Sequence, residues 1–101
     1  MLLYSIRNTQ TGKFFTSTDW NGTEYWATSP AFWKTIDGVV ENLKRIGSDY
    51  AKEAYHKTGR KAWQNFDAAR LEHVEVVITD VKVLGETRRP AEDFVTEDVV
   101  R

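Results

Sequence analysis

The chain has 101 residues, a net charge of −1 and no cysteine, which fits one domain and excludes disulfides, thiolate metal sites and a cysteine nucleophile. Its 41% apolar and 13% aromatic residues are enough for one hydrophobic core and argue against global disorder. The near-neutral charge disfavours duplex binding, which usually needs a strongly basic surface.

The first thirty residues predict three antiparallel strands joined by two tight connections. Apolar and aromatic residues recur among polar ones over residues 3–8, 13–18 and 23–28, as they do in strands. Gly12 in the first connection can adopt a positive φ, and Asn21-Gly22 in the second is the strongest short hairpin signal. We therefore expect a three-stranded meander.

The spacing of apolar residues changes to a helical period at Ile36. The positions that share one helix face are Ile36, Val39, Val40, Leu43 and Ile46. Gly47 is typical of a helix end, and Ser48-Asp49 predicts the cap of a second helix. Residues 31–34 fit either a short extended piece or the helix entry, and residues 61–70 fit either a helical turn or an ordered loop.

The longest predicted strand covers residues 71–84. Its apolar residues change parity near Thr79-Asp80, which indicates a bulge or a strand covered on both faces. Gly85 ends this strand, and residues 87–101 form an acidic C-terminal tail that we expect to be poorly ordered unless other groups pack on its valines. The sequence thus predicts one α+β domain over residues 1–86, with an antiparallel β-sheet in the order β-β-β-α(α)-β and helices packed on one face.

No residue pattern predicts catalysis, a metal site or a cofactor. His56 and His73 lie far apart and lack metal-ligand spacing, and the six glycines form no phosphate-binding loop. Glu72 and Glu75 flank His73, but consecutive strand residues point to opposite faces, so these residues do not form a preassembled acid–base pair. We therefore expect a non-enzymatic protein with no cofactor.

Seven aromatic rings lie between residues 11 and 33, too many for one face of a small sheet. If Phe15 and Trp26 face the core, their neighbours Phe14 and Tyr25 must face outward, because adjacent strand residues alternate. Exposed rings beside basic residues are typical of a partner-binding surface. The candidate partner-binding residues are Arg7, Lys13, Phe14, Trp20 and Tyr25.

A second candidate is the basic cluster Lys57, Arg60 and Lys61. These side chains could contact a phosphate or a partner, or they could complement the dipole of a helix C-terminus in solvent. The N-terminal residues show no charged signal-peptide region. No apolar run is close to the length of about eighteen residues that a membrane-spanning helix needs. We therefore expect a cytoplasmic protein without a membrane partner.

The stretches "YSIRNTQTGKFFTS", "AFWKTIDGVVENLKRI" and "EHVEVVITDVKVL" resemble a group of small, uncharacterised proteins of tailed bacteriophages. The matching positions are Tyr4, Ile6, Arg7, Asn8, Thr11, Gly12, Lys13, Trp20, Trp26, Phe32 or Trp33, Lys34 and Thr35. The resemblance covers about residues 3–84 and implies a role in the cytoplasm of an infected host. It implies a protein that binds a host or bacterial protein, and inhibits or modulates a host or defence system.

Two other functions remain open from the sequence. A binding module for a nucleotide or a single-stranded nucleic acid would stack its rings on bases, although the weak basic balance makes nucleic acid the less favoured partner. A structural role in the virion would need self-assembly. A homodimer through an exposed sheet edge is compatible with each of these functions.

Overall fold

The computed structural model of the chain describes residues 1–19, 23–50 and 63–95. In these ranges the backbone forms strands, one α-helix and two short 3₁₀ turns. The elements are β1 (Leu2–Asn8), β2 (Phe14–Thr18), β3 (Glu24–Ala27), α1 (Ile36–Gly47), β4 (Asp49–Tyr50), β5 (Trp63–Gln64), a 3₁₀ turn (Ala68–Leu71), β6 (Val74–Asp80), β7 (Gly85–Pro90) and a second 3₁₀ turn (Ala91–Asp93).

Five of the strands form one antiparallel sheet in the order β3-β2-β1-β6-β7. The central strand β1 pairs with β6 along its whole length, from Leu2 opposite Asp80 to Asn8 opposite Val74. The short strands β4 and β5 pair with each other outside this sheet. The chain is therefore an α+β domain with a helix packed on an antiparallel sheet, as its sequence predicts.

One face of the sheet packs on α1 and forms the core. Ile6 lies opposite Val76 at the centre of this face, and α1 contributes Val39 and Leu43, which are all fully buried. The other core residues are Tyr4, Phe15, Ile46, Leu71, Val74, Ala91 and Val95. We call the opposite side of the sheet, which faces away from α1, the open face.

The bounds of α1 follow from local side-chain chemistry. The Thr35 hydroxyl accepts a hydrogen bond from the Gly38 N–H at 3.1 Å and so caps the first turn. Ile36 is exposed, so the buried stripe of the helix begins one turn later than its periodicity predicts. At the other end, a Cβ on Gly47 would lie 2.5 Å from the Phe66 ring, so glycine lets this ring pack against the helix.

The connection between β1 and β2 has the predicted turn chemistry. The Asn8 side chain accepts hydrogen bonds from the N–H groups of Gln10 and Thr11, at 2.9 and 3.0 Å. Gly12 has a φ of +73°, which confirms the positive φ expected there. The hairpin register is therefore set by short-range sequence.

The aromatic residues before α1 complete the core rather than start the helix. Trp33 and Tyr4 exchange two main-chain hydrogen bonds, of 2.8 and 2.9 Å, so residues 31–34 include an extended bridge to β1. The buried Phe15 ring contacts Trp26 edge-on at 5.4 Å between centroids and stacks on Trp33 at 6.3 Å. Phe32 is exposed.

The segment after α1 differs from its predicted form. The second helix expected from Ser48-Asp49 does not begin there, because Asp49 and Tyr50 pair with β5 as a strand. Residues 51–62, where the rest of that helix was expected, lie outside the described residues. In residues 61–70, the described part contains β5 and most of a 3₁₀ turn, so neither a helical turn nor a loop describes the whole segment.

The C-terminal part of the sheet is longer than the sequence predicts. The strand expected to reach residue 84 ends at Asp80, and no bulge is needed because Val81 and Val83 lie in a hairpin loop. Gly85 then begins β7 instead of ending a strand, so the sheet continues past the expected boundary at residue 86. Ala91 and Val95 are buried in the core, whereas residues 96–101 lie outside the described part.

Candidate functional site

Two of the five predicted partner-binding residues, Phe14 and Arg7, lie on one row of the open face. Ala27, Phe14, Arg7, Glu75 and Pro90 lie side by side across β3, β2, β1, β6 and β7. Cross-strand partners share a face, so this row places Phe14 next to Arg7, as the alternation of β1 and β2 predicts. Phe14 is half-buried rather than freely exposed.

The charge of Arg7 is already paired within the sheet. Its Nη1 lies 2.9 Å from Oε1 of Glu75, and both side chains are largely shielded from solvent. Arg88 approaches the same carboxylate oxygen at 4.0 Å from its Nε. A ligand phosphate would have to compete with Glu75 for both guanidinium groups, so Arg7 is poorly placed to recruit one.

Tyr25 is the most exposed ring of the predicted surface that the structure describes. It lies on β3, and its hydroxyl donates a hydrogen bond to Oδ2 of Asp19 at 3.1 Å. This hydrogen bond and the negative charge of Asp19 raise the pKa of Tyr25 above its ordinary value of 10.0. Lys13 is also exposed, between β1 and β2.

Four of the predicted site residues belong to segments that the structure does not describe. Trp20 and the basic cluster of Lys57, Arg60 and Lys61 lie outside the described residues. Their proposed contacts with a partner or a phosphate therefore stay predictions from the sequence.

Solvent has almost no access to the side chains at the centre of the open face. Ser5 and Val77 are register partners there, yet they are only 1% and 4% exposed. The rows on either side of them contain the Arg7–Glu75 pair and the Leu3–Thr79 pair. A flat ligand on the open face could contact only the margins of the sheet, because its centre offers almost no accessible surface.

A group of exposed apolar side chains lies at the end of the β6–β7 hairpin. Val83 is 70% exposed and Leu84 is 84% exposed, and Val81 and Leu2 are exposed beside them. The N–H of Val81 donates to the carbonyl of Met1 at 3.1 Å, which brings the loop and the start of β1 together. We call Leu2, Val81, Val83 and Leu84 the apolar end.

Leu84 has an unfavourable backbone conformation. Its φ is +56°, in the left-handed region that costs an L-amino acid with a bulky side chain about 1–2 kcal/mol. The other described residues with a φ in this region are Gly12 and Asn65, which are the residue types that tolerate it. Because Leu84 is exposed, burial of its side chain does not offset this cost within the chain.

A shallow groove of about 330 Å³ lies beside the apolar end. Leu2, Ile78 and Val83 supply apolar walls, and Asp80 supplies a carboxylate at the same place. One oxygen of Asp80 accepts a hydrogen bond from the Lys82 N–H at 3.0 Å, which also shapes the loop. The groove therefore combines apolar surface with negative charge.

Potential metal ligands do not cluster in the described residues. Residues 1–19, 23–50 and 63–95 include no group of three or more potential metal ligands. His73 lies on the surface beside Glu72, at 4.0 Å between Nε2 and Oε2. In the described part of the chain, no helix is long and apolar enough to cross a membrane.

Comparison with known proteins adds no assignment. Neither protein-family models nor curated proteins nor solved structures give a match to this chain. By its fold and surface, the molecule belongs to the class of small α+β domains, and its exposed apolar hairpin loop is the most distinctive feature of the described surface.

The apolar residues of the apolar end are visible in the sequence, but the sequence pattern fits either a continuing strand or a hairpin loop. In "TDVKVLGE", Val81 and Val83 alternate with polar residues and indicate a continuing strand. Leu84-Gly85 supplies the alternative: a hairpin turn in which one residue adopts a positive φ. Glycine normally takes such a position, so the leucine there gives no turn signal.

Proposed function

We propose that this chain is a small non-enzymatic protein that acts by binding another protein, and that the apolar end is its contact surface. The observation that carries the proposal is Leu84, a bulky apolar residue that is exposed and held at a positive φ. Local violations of sequence–structure preference without compensating packing are typical of functional positions. A partner that covers Leu84 would supply the burial that the chain itself lacks.

The surface chemistry specifies the partner further. Leu2, Ile78 and Val83 would accept an aliphatic or aromatic side chain, while Asp80 at the same groove favours a neighbouring basic group. We therefore propose a partner protein that presents an apolar side chain next to a lysine or arginine. Truncating a hot-spot contact costs about 2 kcal/mol or more of binding free energy, which is a more than tenfold loss of affinity.

The biological setting of the proposal comes from the resemblance to small proteins of tailed bacteriophages. On that basis we propose that the partner is a host or bacterial protein in the cytoplasm of an infected cell, and that binding inhibits or modulates a host or defence system. Support from the structure concerns the binding surface alone, since fold does not specify function.

The alternative function, binding of a nucleotide or single-stranded nucleic acid, has less support among the described residues. Such binding needs free cations and accessible ring faces. Arg7 is paired with Glu75, Phe14 is half-buried, and the neighbouring Ser5 and Val77 close the centre of the open face. The residues that remain for this alternative are the exposed Lys13 and Tyr25, together with the basic cluster, which lies outside the described residues.

The test is capture of a partner with three versions of the tagged protein. Wild type, the double variant Val83→Ser/Leu84→Asn and the control Phe32→Ser would be incubated with nuclease-treated and with untreated bacterial lysate, and bound proteins identified by mass spectrometry. Phe32 is a matched control because it is an exposed apolar residue outside the apolar end. The captured protein would then be purified and its affinity for each version measured.

We expect one host protein to bind wild type and the Phe32→Ser control equally, and to bind the double variant at least tenfold more weakly. Equal affinity for all three versions would refute the apolar end as the contact surface. A signal that disappears on nuclease treatment would favour the nucleic-acid alternative instead, because phosphate contacts, and not apolar ones, would then hold the complex.

A further inference from the structure

The outer strand β7 leaves one edge of the sheet open. It is last in the strand order, and all six of its residues are exposed. Edge strands carry unpaired N–H and C=O groups that can pair with another strand. Charged residues and proline on an edge usually discourage such pairing, and β7 contains both in its sequence "GETRRP".

The direction of the free backbone groups of β7 follows from Pro90. Pro90 lies opposite Glu75 but has no N–H, so this pair cannot be one that exchanges two hydrogen bonds. Hydrogen-bonded and non-hydrogen-bonded pairs alternate along an antiparallel ladder. Arg88 and Glu86 are two and four residues before Pro90, so their N–H and C=O groups also point away from β6, toward the open edge.

The side chains of β7 alternate in the same way. Glu86 and Arg88 share the open face, where Nη2 of Arg88 lies 3.8 Å from Oε2 of Glu86. Arg89 lies on the other face, with its guanidinium 5.5 Å from the centre of the Phe94 ring. The open edge therefore presents one acidic and one basic side chain on the same face, two residues apart.

We propose that β7 pairs antiparallel with β7 of a second copy of this chain, with Thr87 on the two-fold axis. In this register Glu86 of each copy lies opposite Arg88 of the other, so opposite charges face each other twice. Both residues have outward backbone groups, so the two pairs form about four main-chain hydrogen bonds. The two five-stranded sheets become one continuous sheet with both helices on the same side.

Neighbouring registers fit less well. With Glu86 on the axis two carboxylates would face each other, and with Arg88 on the axis two guanidinium groups would do so; like charges directly opposite are destabilising. A shift by one residue would place an outward backbone group opposite an inward one and break the ladder. The charges that usually protect an edge thus select one register of self-pairing.

A single-cysteine crosslinking experiment tests the register. The chain contains no cysteine, so each substitution introduces the sole thiol. Residues on the axis form a non-hydrogen-bonded pair with Cα atoms about 4.5 Å apart, within the range of a disulfide. Thr87→Cys would be compared under mild oxidation with Glu86→Cys, one residue away, and with Lys82→Cys in the exposed hairpin loop.

We expect Thr87→Cys to form a covalent dimer at least tenfold faster than either control variant. Adding Glu86→Arg should slow this reaction, because two basic groups would then face each other, and adding both Glu86→Arg and Arg88→Glu should restore it. Equal rates for the three cysteine variants, or a faster reaction of Glu86→Cys, would overturn the proposal.

Sedimentation of the wild-type chain provides a test without substitutions. A monomer–dimer equilibrium that shifts with protein concentration is expected, and it should be lost in Arg88→Pro but retained in Arg88→Ala, since only proline removes the outward N–H. A wild type that stays monomeric up to millimolar concentration would also overturn the proposal. The outcome is independent of the proposed partner binding, because no residue of the apolar end is changed.

Discussion

Replacing Leu84 with asparagine should stabilise the protein. The left-handed conformation costs an L-residue about 1–2 kcal/mol, and asparagine adopts it more readily than leucine. Since Leu84 is 84% exposed, removing its side chain forfeits only about 0.3–0.5 kcal/mol of burial. The net gain in the free energy of unfolding is about 0.5–1 kcal/mol, which corresponds to a rise in Tm of about 2–6 °C in a domain of this size.

Thermal unfolding followed by circular dichroism would measure this gain, with Val83→Asn as the matched control. Val83 is exposed in the same loop but does not have a positive φ, so its replacement should leave Tm unchanged or slightly lower. If Leu84→Asn were no more stable than Val83→Asn, the argument that Leu84 is strained would be wrong. Such a result would also remove the observation on which the proposed function depends.

Three further results are expected. Phe15→Ala should lower the free energy of unfolding by about 3–5 kcal/mol in urea denaturation, because its ring is fully buried. Gly47→Ala should lower it by about 1–2 kcal/mol, because the new methyl group would overlap Phe66, and Phe66→Leu in the same protein should recover part of the loss. Asp19→Asn should lower the pKa of Tyr25 toward its ordinary value, as read from tyrosine absorbance with Tyr25→Phe as the reference. Because the pKa of Tyr25 is raised in the folded state, the Tyr25–Asp19 hydrogen bond contributes to stability below about pH 10. This contribution is lost as the pH rises through the folded-state pKa of Tyr25.

Periodicity predicted the N-terminal half of the fold because local and tertiary preferences agree there. Tyr4 and Ile6 of β1 and Phe15 of β2 are buried on the core face as expected, and Gly12 has the positive φ that its turn requires, although the β2–β3 register shifts between Phe15 and Ser17. The stripe of α1 is correct from Val39 onward. Ile36 does not fit, because helical spacing alone cannot show where the sheet beneath the first turn ends.

The C-terminal half was harder to predict because its strand β7 has no sequence signal. "GETRRP" contains no apolar residue and two residue types that disfavour strands, so only pairing with β6 makes it a strand. The turn before it was also hidden, since Val81 and Val83 continue the strand alternation and leucine takes the position of the usual glycine or asparagine. The sequence therefore predicts binding residues on the N-terminal hairpins and none at this loop.

The two proposals share the β6–β7 hairpin but depend on different parts of it. Partner binding depends above all on Leu84 and on a groove whose lining includes Glu86 and Thr87, whereas self-pairing depends on the backbone and charges of residues 85–89. Leu84→Asn should therefore weaken partner binding and leave the crosslinking of Thr87→Cys unchanged, while Arg88→Pro should suppress the crosslinking and leave partner binding unchanged. If either substitution removed both activities, the hairpin would function as one surface, and the partner would have to recognise the dimer rather than a single loop.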